Sequence, residues 1–171
     1  MDFRKIELRK HEKLIRFMEK FYSLFPRNLH EKLLIHHRKS TGTFGLVIRY
    51  VLLRKLASHV GENVLIQPDV YFSNLDKLHI GDNVIIHPMC YIDAMGGIEI
   101  GNNVTFSHRV SIISNKQSFD ELDIPIKDQE CLAMPVKVGN DVYIGTNSSV
   151  FGGSYITDGS VIAVGTVISS T

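Results

Sequence analysis

The chain has 171 residues, 44% of them apolar, and carries 19 Lys/Arg against 18 Asp/Glu for a net charge of +1. That length suits one domain with at most an appendage, and no apolar run reaches the ~18 residues that a membrane span requires. The start, Met1-Asp2-Phe3-Arg4-Lys5, lacks the apolar core of a signal peptide, and Cys90 and Cys131 have neither disulfide nor metal spacing. The chain is therefore expected in the cytoplasm, at most against the inner face of the membrane.

The near-zero net charge hides an asymmetry. Residues 1–59 hold 14 Lys/Arg and 5 Asp/Glu, a balance of +9, whereas residues 60–171 hold 5 and 13, a balance of −8. A basic appendage on an acidic body can steer an anionic partner. No aromatic or Gly-rich motif accompanies the basic residues, which argues against nucleic acid. Peripheral membrane contact through basic N-terminal helices is the other candidate.

Within this first segment, residues 3–25 read as an amphipathic helix with Ile6, Leu14, Phe17, Met18 and Phe21 on one stripe. Pro26 ends it, and a second helix is expected from an Asn28 N-cap to about His37. Ser40-Thr41-Gly42 reads as a linker. Phe44–Leu56 is apolar, broken by Arg49, Arg54 and Lys55. It suits a cap on the open end of whatever follows, with lying on a membrane surface as the alternative. His11, His30, His36, His37 and His59 are expected at the surface.

From Val60 onward an aliphatic residue recurs every six positions, as in Ile80-Gly81, Ile86, Ile100-Gly101, Phe106 and Ile112. The pattern resumes at Val138-Gly139, Ile144-Gly145, Val150, Ile156, Ile162 and Ile168. A small or β-branched residue lies four places on, at Val64, Val70, Val84, Cys90, Val104, Val110 and Val142. A six-residue period predicts a parallel β-helix, with three hexads to a triangular coil. The aliphatic residue fills the prism, and Gly and Asn take the corners. Val60, Ile80 and Ile100 are twenty apart, so each coil lets out two extra residues at a corner. The expected fold is mainly β, with N-terminal α-helices at 1–59 and a β-helix at 60–171.

Between Ser114 and Pro135 the hexads stop. An interruption of about twenty residues in a solenoid marks a functional segment, and Phe119, Ile124, Ile126 and Leu132 can anchor it. The excursion loop is placed at 115–135.

Ile-Gly-Asp-Asn-Val (80–84), Cys-Tyr-Ile-Asp-Ala-Met-Gly-Gly-Ile-Glu-Ile-Gly (90–101), Pro-Ile-Lys-Asp-Gln (125–129) and Pro-Val-Lys-Val-Gly-Asn-Asp-Val-Tyr-Ile-Gly (135–145) occur in this order. This set resembles the hexapeptide-repeat acyltransferases, in the branch of galactoside, maltose and capsular polysaccharide O-acetyltransferases. The resemblance covers about Arg49 to Ser170. It implies a left-handed parallel β-helix and a homotrimer with its active site between subunits. It also implies acetyl-CoA as co-substrate, a sugar or polysaccharide acceptor, and no metal.

Transfer of an acetyl group to a hydroxyl needs a base with a pKa near the working pH, usually histidine, and a donor for the oxyanion. The resemblance places the family's catalytic His at Gln117, which cannot serve as a base. It places an acceptor-site Asn at His87. The expectation is an exchange of roles in which His87 is the base and Gln117 orients it or binds sugar, with His108 as the other candidate base. Thr146, Val164, Ser169 and Ser170 match positions that contact acetyl-CoA. Val164 stands where Ala or Gly is usual, and Ser170 where Lys is usual. The sequence ends at Thr171, where the resemblance implies a Pro-containing turn and a basic tail; the expectation is either a weaker hold on the nucleotide end or a reading frame that continues further. Two rivals follow: a degenerate binding or assembly subunit, and a zinc-dependent hydratase drawing on His79, His87 and His108.

Overall fold

The structure, a computed structural model, describes residues 8–170. Three helices precede five stacked coils. The helices are α1 (Glu12–Tyr22), α2 (Arg27–His36) and α3 (Gly42–Leu56). The first coil is β1 (His59–Val60), β2 (Leu65–Ile66) and β3 (Tyr71–Ser73), and the second is β4 (Leu78–Ile80), β5 (Ile85–Ile86) and β6 (Tyr91–Asp93). The third is β7 (Ile98–Ile100), β8 (Thr105–Phe106) and β9 (Ser111–Ile113). It runs into a hairpin of β10 (Asn115–Gln117) and β11 (Cys131–Ala133). The fourth is β12 (Val136–Val138), β13 (Tyr143–Ile144) and β14 (Ser149–Phe151), and the fifth is β15 (Tyr155–Ile156), β16 (Val161–Ile162) and β17 (Val167–Ile168). First, second and third strands of successive coils pair in parallel, which makes three five-stranded faces.

The hexad residues point inward as the period requires. Ile66, Ile80, Ile86, Phe106, Ile112, Ile144 and Val150 are fully buried, and so are Val64, Val84, Cys90 and Val104. Each such side chain contributes about 1.5–3 kcal/mol through burial. The Cys90 thiol is a core group, donating to the Ser107 carbonyl at 3.1 Å, and burial pushes its pKa up to about 11.

The Ile-Gly-Asp-Asn signature has a local cause at the first corner, which follows each first-face strand. Asp82 and Asn102 accept the backbone N–H of Glu62 and Asp82 from the coil below at 2.6 and 2.7 Å. Asn140 and Asp158 continue the series at 2.9 and 2.7 Å. A Cβ on Gly81 would lie 2.5 Å from the Asn102 Oδ1, so the cap requires glycine beneath it. The next corner residues, Asn63, Asn83, Asn103 and Asp141, all adopt positive φ, which Asn and Asp tolerate best after glycine.

The third corner, after β3, β6 and β9, is the irregular one. The extra residues of the first coils leave here, and so does the hairpin. The twenty-residue interruption is therefore a larger version of an insertion the fold already makes. Its base is ordered, with Asn115, Lys116 and Gln117 paired antiparallel to Ala133, Leu132 and Cys131.

The helical segment departs from the sequence expectation in several ways. The buried stripe of α1 is Ile15, Met18 and Tyr22, while Leu14, Phe17 and Phe21 are exposed; Ile6 lies outside the described residues. The two rows are adjacent parts of one broad apolar face, of which the Ile15 side packs on α3, where Glu19 pairs with Arg54 at 2.7 Å. Helix α2 is capped by Pro26 rather than Asn28, and α3 begins at Gly42, so the linker shrinks to Ser40-Thr41. His30 is buried, its Nε2–H donating to the Tyr22 carbonyl at 2.8 Å.

Helix α3 is a core element, not a membrane-surface one. Leu46 through Leu53 are all buried between α1 and α2 on one side and the first coil on the other. Tyr50 donates to the Gly61 carbonyl at 3.0 Å. Arg49, 1% exposed, donates to the Ile66 carbonyl at 2.9 Å and to the carbonyls of His37 and Ser40. Its Nη2 and the Nε2 of Gln67 have no partner, and burial lowers the guanidinium pKa to about 10. A buried charge tied to carbonyls of both segments holds the helices to the solenoid in one register.

Candidate functional site

The second corner, after β2, β5, β8, β13 and β16, gathers most of the residues with chemistry. Ile66, Ile86, Phe106, Ile144 and Ile162 are in register. The residues that follow them therefore stack as Gln67, His87, Ser107, Gly145 and Ala163, and then as Pro68, Pro88, His108, Thr146 and Val164. His87 and His108 lie on a diagonal of this lattice, with ring centroids 4.9 Å apart and planes at 31°. The Ser107 and Thr146 hydroxyls are 2.7 Å apart on the adjoining diagonal. The Thr146–Ser107 contact was not legible from the hexads, because it needs the residue offset between two columns.

His87 is half-buried, and its backbone N–H donates to the Phe106 carbonyl at 3.0 Å. Desolvation lowers its pKa below the ordinary imidazole value, and the neighbouring His108 lowers it further. A neutral imidazole at neutral pH is what a general base requires.

This corner also carries backbone strain where the histidines are. Its left-handed position is held by Asp69, Asn147 and Gly165 in the first, fourth and fifth coils, but by Met89 (φ 63°) and Arg109 (φ 58°) in the second and third. Bulky residues disfavour that region, and such strain is frequent at functional sites. Alignment of Met89 and Arg109 with Asn147 was available in the sequence as the signal for this.

The remaining singled-out residues lie elsewhere. Gln117 stands in the hairpin at the third corner, across the third face from His87 within one chain. Its Nε2 donates to the carbonyls of Ile126 at 2.8 Å and Gln129 at 2.9 Å. Gln129, which is buried, does more for the loop. Its Nε2 donates to the Glu121 and Ile124 carbonyls at 2.7 and 2.9 Å, and its Oε1 accepts from the Glu121 N–H at 3.2 Å. Two glutamine amides thus hold a segment without regular structure. Val164 is exposed at the second corner beside Thr146. Ser169 and Ser170 follow β17 at the third corner, where the Ser170 Oγ donates to the Gly152 carbonyl at 2.8 Å.

His79, His87 and His108 do not converge. His79 stacks on His59 on the first face, centroids 4.4 Å apart, well away from the His87–His108 pair. Among the described residues no group of three or more His, Cys, Asp or Glu could hold a metal. His79 also lines a groove of about 820 Å³ along that face, with Lys77, Glu99, Lys137 and Tyr155. There Lys137 and Glu99 are paired at 2.9 Å.

The second corner suits a thin acyl-carrier arm. Gly145, Ala163 and Gly165 leave backbone bare beside the Thr146 hydroxyl, and β16 has no strand above it. A Cβ on Gly145 would lie 2.7 Å from the Val164 nitrogen, so coil stacking itself keeps this shelf free of side chains.

No family model matches the sequence, and no curated protein matches it. Solved structures do. A hexapeptide-repeat acetyltransferase from Vibrio cholerae O1 biovar eltor, complexed with acetyl-coenzyme A, superposes with a TM-score of 0.73 at 24% identity over 84% of this chain and 75% of its own. A maltose O-acetyltransferase from Clostridium difficile 630 gives 0.72 at 24% identity over 84% and 75%. A galactoside acetyltransferase in complex with coenzyme A gives 0.70 at 28% identity over 81% and 68%. The fold is that of the hexapeptide-repeat acetyltransferases. The resemblance drawn from the motifs at 80–145 holds in three dimensions, and two of these hexapeptide-repeat structures contain acetyl-CoA or CoA.

Proposed function

We propose that this chain is an acetyl-CoA-dependent O-acetyltransferase acting on a sugar hydroxyl, in capsular or surface polysaccharide synthesis, working as a homotrimer at the cytoplasmic side of the membrane. The observation that carries the reading is the His87–His108 pair, a desolvated imidazole held neutral beside the bare-backbone shelf of Thr146. In this reading the thioester supplies an activated acetyl group. His87 takes the proton of the sugar hydroxyl as its oxygen attacks the acyl carbon, and the departing thiolate recovers a proton. Thr146 and Val164 flank the acyl arm. Gln117 acts through the hairpin it pins, which closes the site from a neighbouring subunit.

A rise in free thiol on mixing acetyl-CoA with a panel of sugars tests this. Turnover that is abolished in His87→Ala and retained in His79→Ala supports it. Full turnover in His87→Ala overturns the assignment of the base.

One observation favours a second reading, a non-catalytic binding or assembly subunit. The side-chain amide nitrogen at Gln117 is committed to loop carbonyls, where the family resemblance implies a catalytic imidazole. Acetyl-CoA binding by calorimetry without turnover on any sugar would select that reading.

A further inference from the structure

The N-terminal helices leave an apolar row uncovered, and it is not on the helix their composition points to. Helix α3, the most apolar of the three, is buried. Helix α1 presents Leu14 (39% exposed), Phe17 (68%) and Phe21 (47%) to solvent, and Leu24 (79%) continues the line just beyond its end. The spacing of three, four and three places them along one side of the helix. Their burial against α3 is already excluded, because Ile15, Met18 and Tyr22 occupy that face. Lys13 and Lys20 are exposed and lie one turn before Phe17 and Leu24, at i to i+4. The acidic residues of α1 are engaged elsewhere, Glu12 with Arg16 and Glu19 with Arg54.

We propose that this stripe is a docking surface for an anionic lipid bilayer, with α1 lying in the plane of the interface. Leu14, Phe17, Phe21 and Leu24 enter the acyl boundary, and the Lys13 and Lys20 stems run along it to place their ammonium groups among lipid phosphates. Charge selects the occupant. The segment 1–59 balances at +9, and it is joined to a solenoid that balances at −8 and would be repelled by the same surface. The molecule is therefore polarised, with its helical end toward the lipid. A bilayer fits better than a second copy of the chain, which would have to bring two basic segments together.

The inference sharpens the membrane-side location proposed above and is independent of acetyl transfer, so vesicle binding and turnover can fail separately. The full chain is sedimented with vesicles of phosphatidylcholine alone and with about 30% phosphatidylglycerol. Sedimentation with the anionic vesicles, weakened by salt and lost on pure phosphatidylcholine, is the expected result. The Phe17→Ser/Phe21→Ser variant is expected to lose about tenfold or more of the partitioning, and Lys13→Glu/Lys20→Glu a similar factor, with unchanged circular dichroism. The chain contains no tryptophan, so Phe17→Trp reports directly, and a blue shift on adding anionic vesicles supports insertion. Absence of sedimentation, no fluorescence shift, or a drop in oligomeric mass in Phe17→Ser/Phe21→Ser overturns the proposal, the last by assigning the stripe to a second copy.

Discussion

The second and third corners of the solenoid are built from the same repeat and do opposite things with it. At the second corner the repeat is unbroken, and chemistry is assembled by stacking. His87, Ser107, His108 and Thr146 meet because successive coils are in register. At the third corner the repeat yields, first by two residues and then by a hairpin. There side-chain amides, those of Gln117 and Gln129, substitute for the missing ladder. A rigid lattice can hold a base within reach of a backbone shelf, and an insertion can supply a wall that the lattice lacks.

The comparison can be broken most sharply at His87. His87→Ala is expected to lower kcat on a sugar acceptor by about 10²–10⁴-fold, the usual contribution of a positioned base, measured as thiol release. Gln129→Ala comes next. It removes the hydrogen bonds to the Glu121 and Ile124 carbonyls, each worth about 0.5–1.5 kcal/mol. Limited proteolysis within 118–130 should speed up while the solenoid melts unchanged; equal protection would mean the hairpin does not depend on this amide. Gln117→His should not restore a faster enzyme, because an imidazole offers fewer donors to the two carbonyls that Gln117 serves. A higher kcat in that variant would show instead that the hairpin position is catalytic.

A subtler separation uses pH. The His87 pKa is lowered by desolvation and then by His108. With His87 in the proposed role of base, the acid limb of kcat/KM should lie below the ordinary imidazole value of ~6.5. His108→Ala removes one cause, so the limb should move up in pH; a limb that stays put would show that His108 does not act on His87. The same sign governs stability. The unfolded chain binds a proton at His87 before the folded chain does, so stability falls as pH drops through the unfolded value. The smallest effect belongs to the strained corner. Arg109→Asn relieves a bulky residue at φ 58° and should raise stability by about 0.5–1 kcal/mol, or a few degrees in Tm. Any accompanying loss of turnover would show that the strain is maintained for the site.

The site was legible to different depths at these two corners. Thr146 and His87 could be placed from the hexads alone, since position within a repeat fixes position in the prism. Their meeting with Ser107 and His108 depends on the offset between adjacent coils, which the period alone does not specify. Gln117 was identified by its place in a motif, but its hydrogen bonds go to Ile126 and Gln129, residues nine and twelve places on, in a segment with no period to read. Ser169 and Ser170 match by motif yet emerge at the third corner, where Ser170 pins Gly152.

By itself the sequence determined the solenoid, its interior, its first corner and the site of its interruption. These are quasi-one-dimensional properties: each coil contacts only its neighbours, so a six-residue period translates directly into inside, outside and turn. The helical segment is governed differently. Helix α1 carries one apolar face too broad for a single contact, and only docking against α3 decided that Ile15, Met18 and Tyr22 go inward while Leu14, Phe17 and Phe21 stay out. Arg49 looked like a break in an apolar helix, but carbonyls from two distant segments made it a buried tie. Periodicity reports which faces are apolar; which of them is covered depends on the shape and charge of the surface it meets.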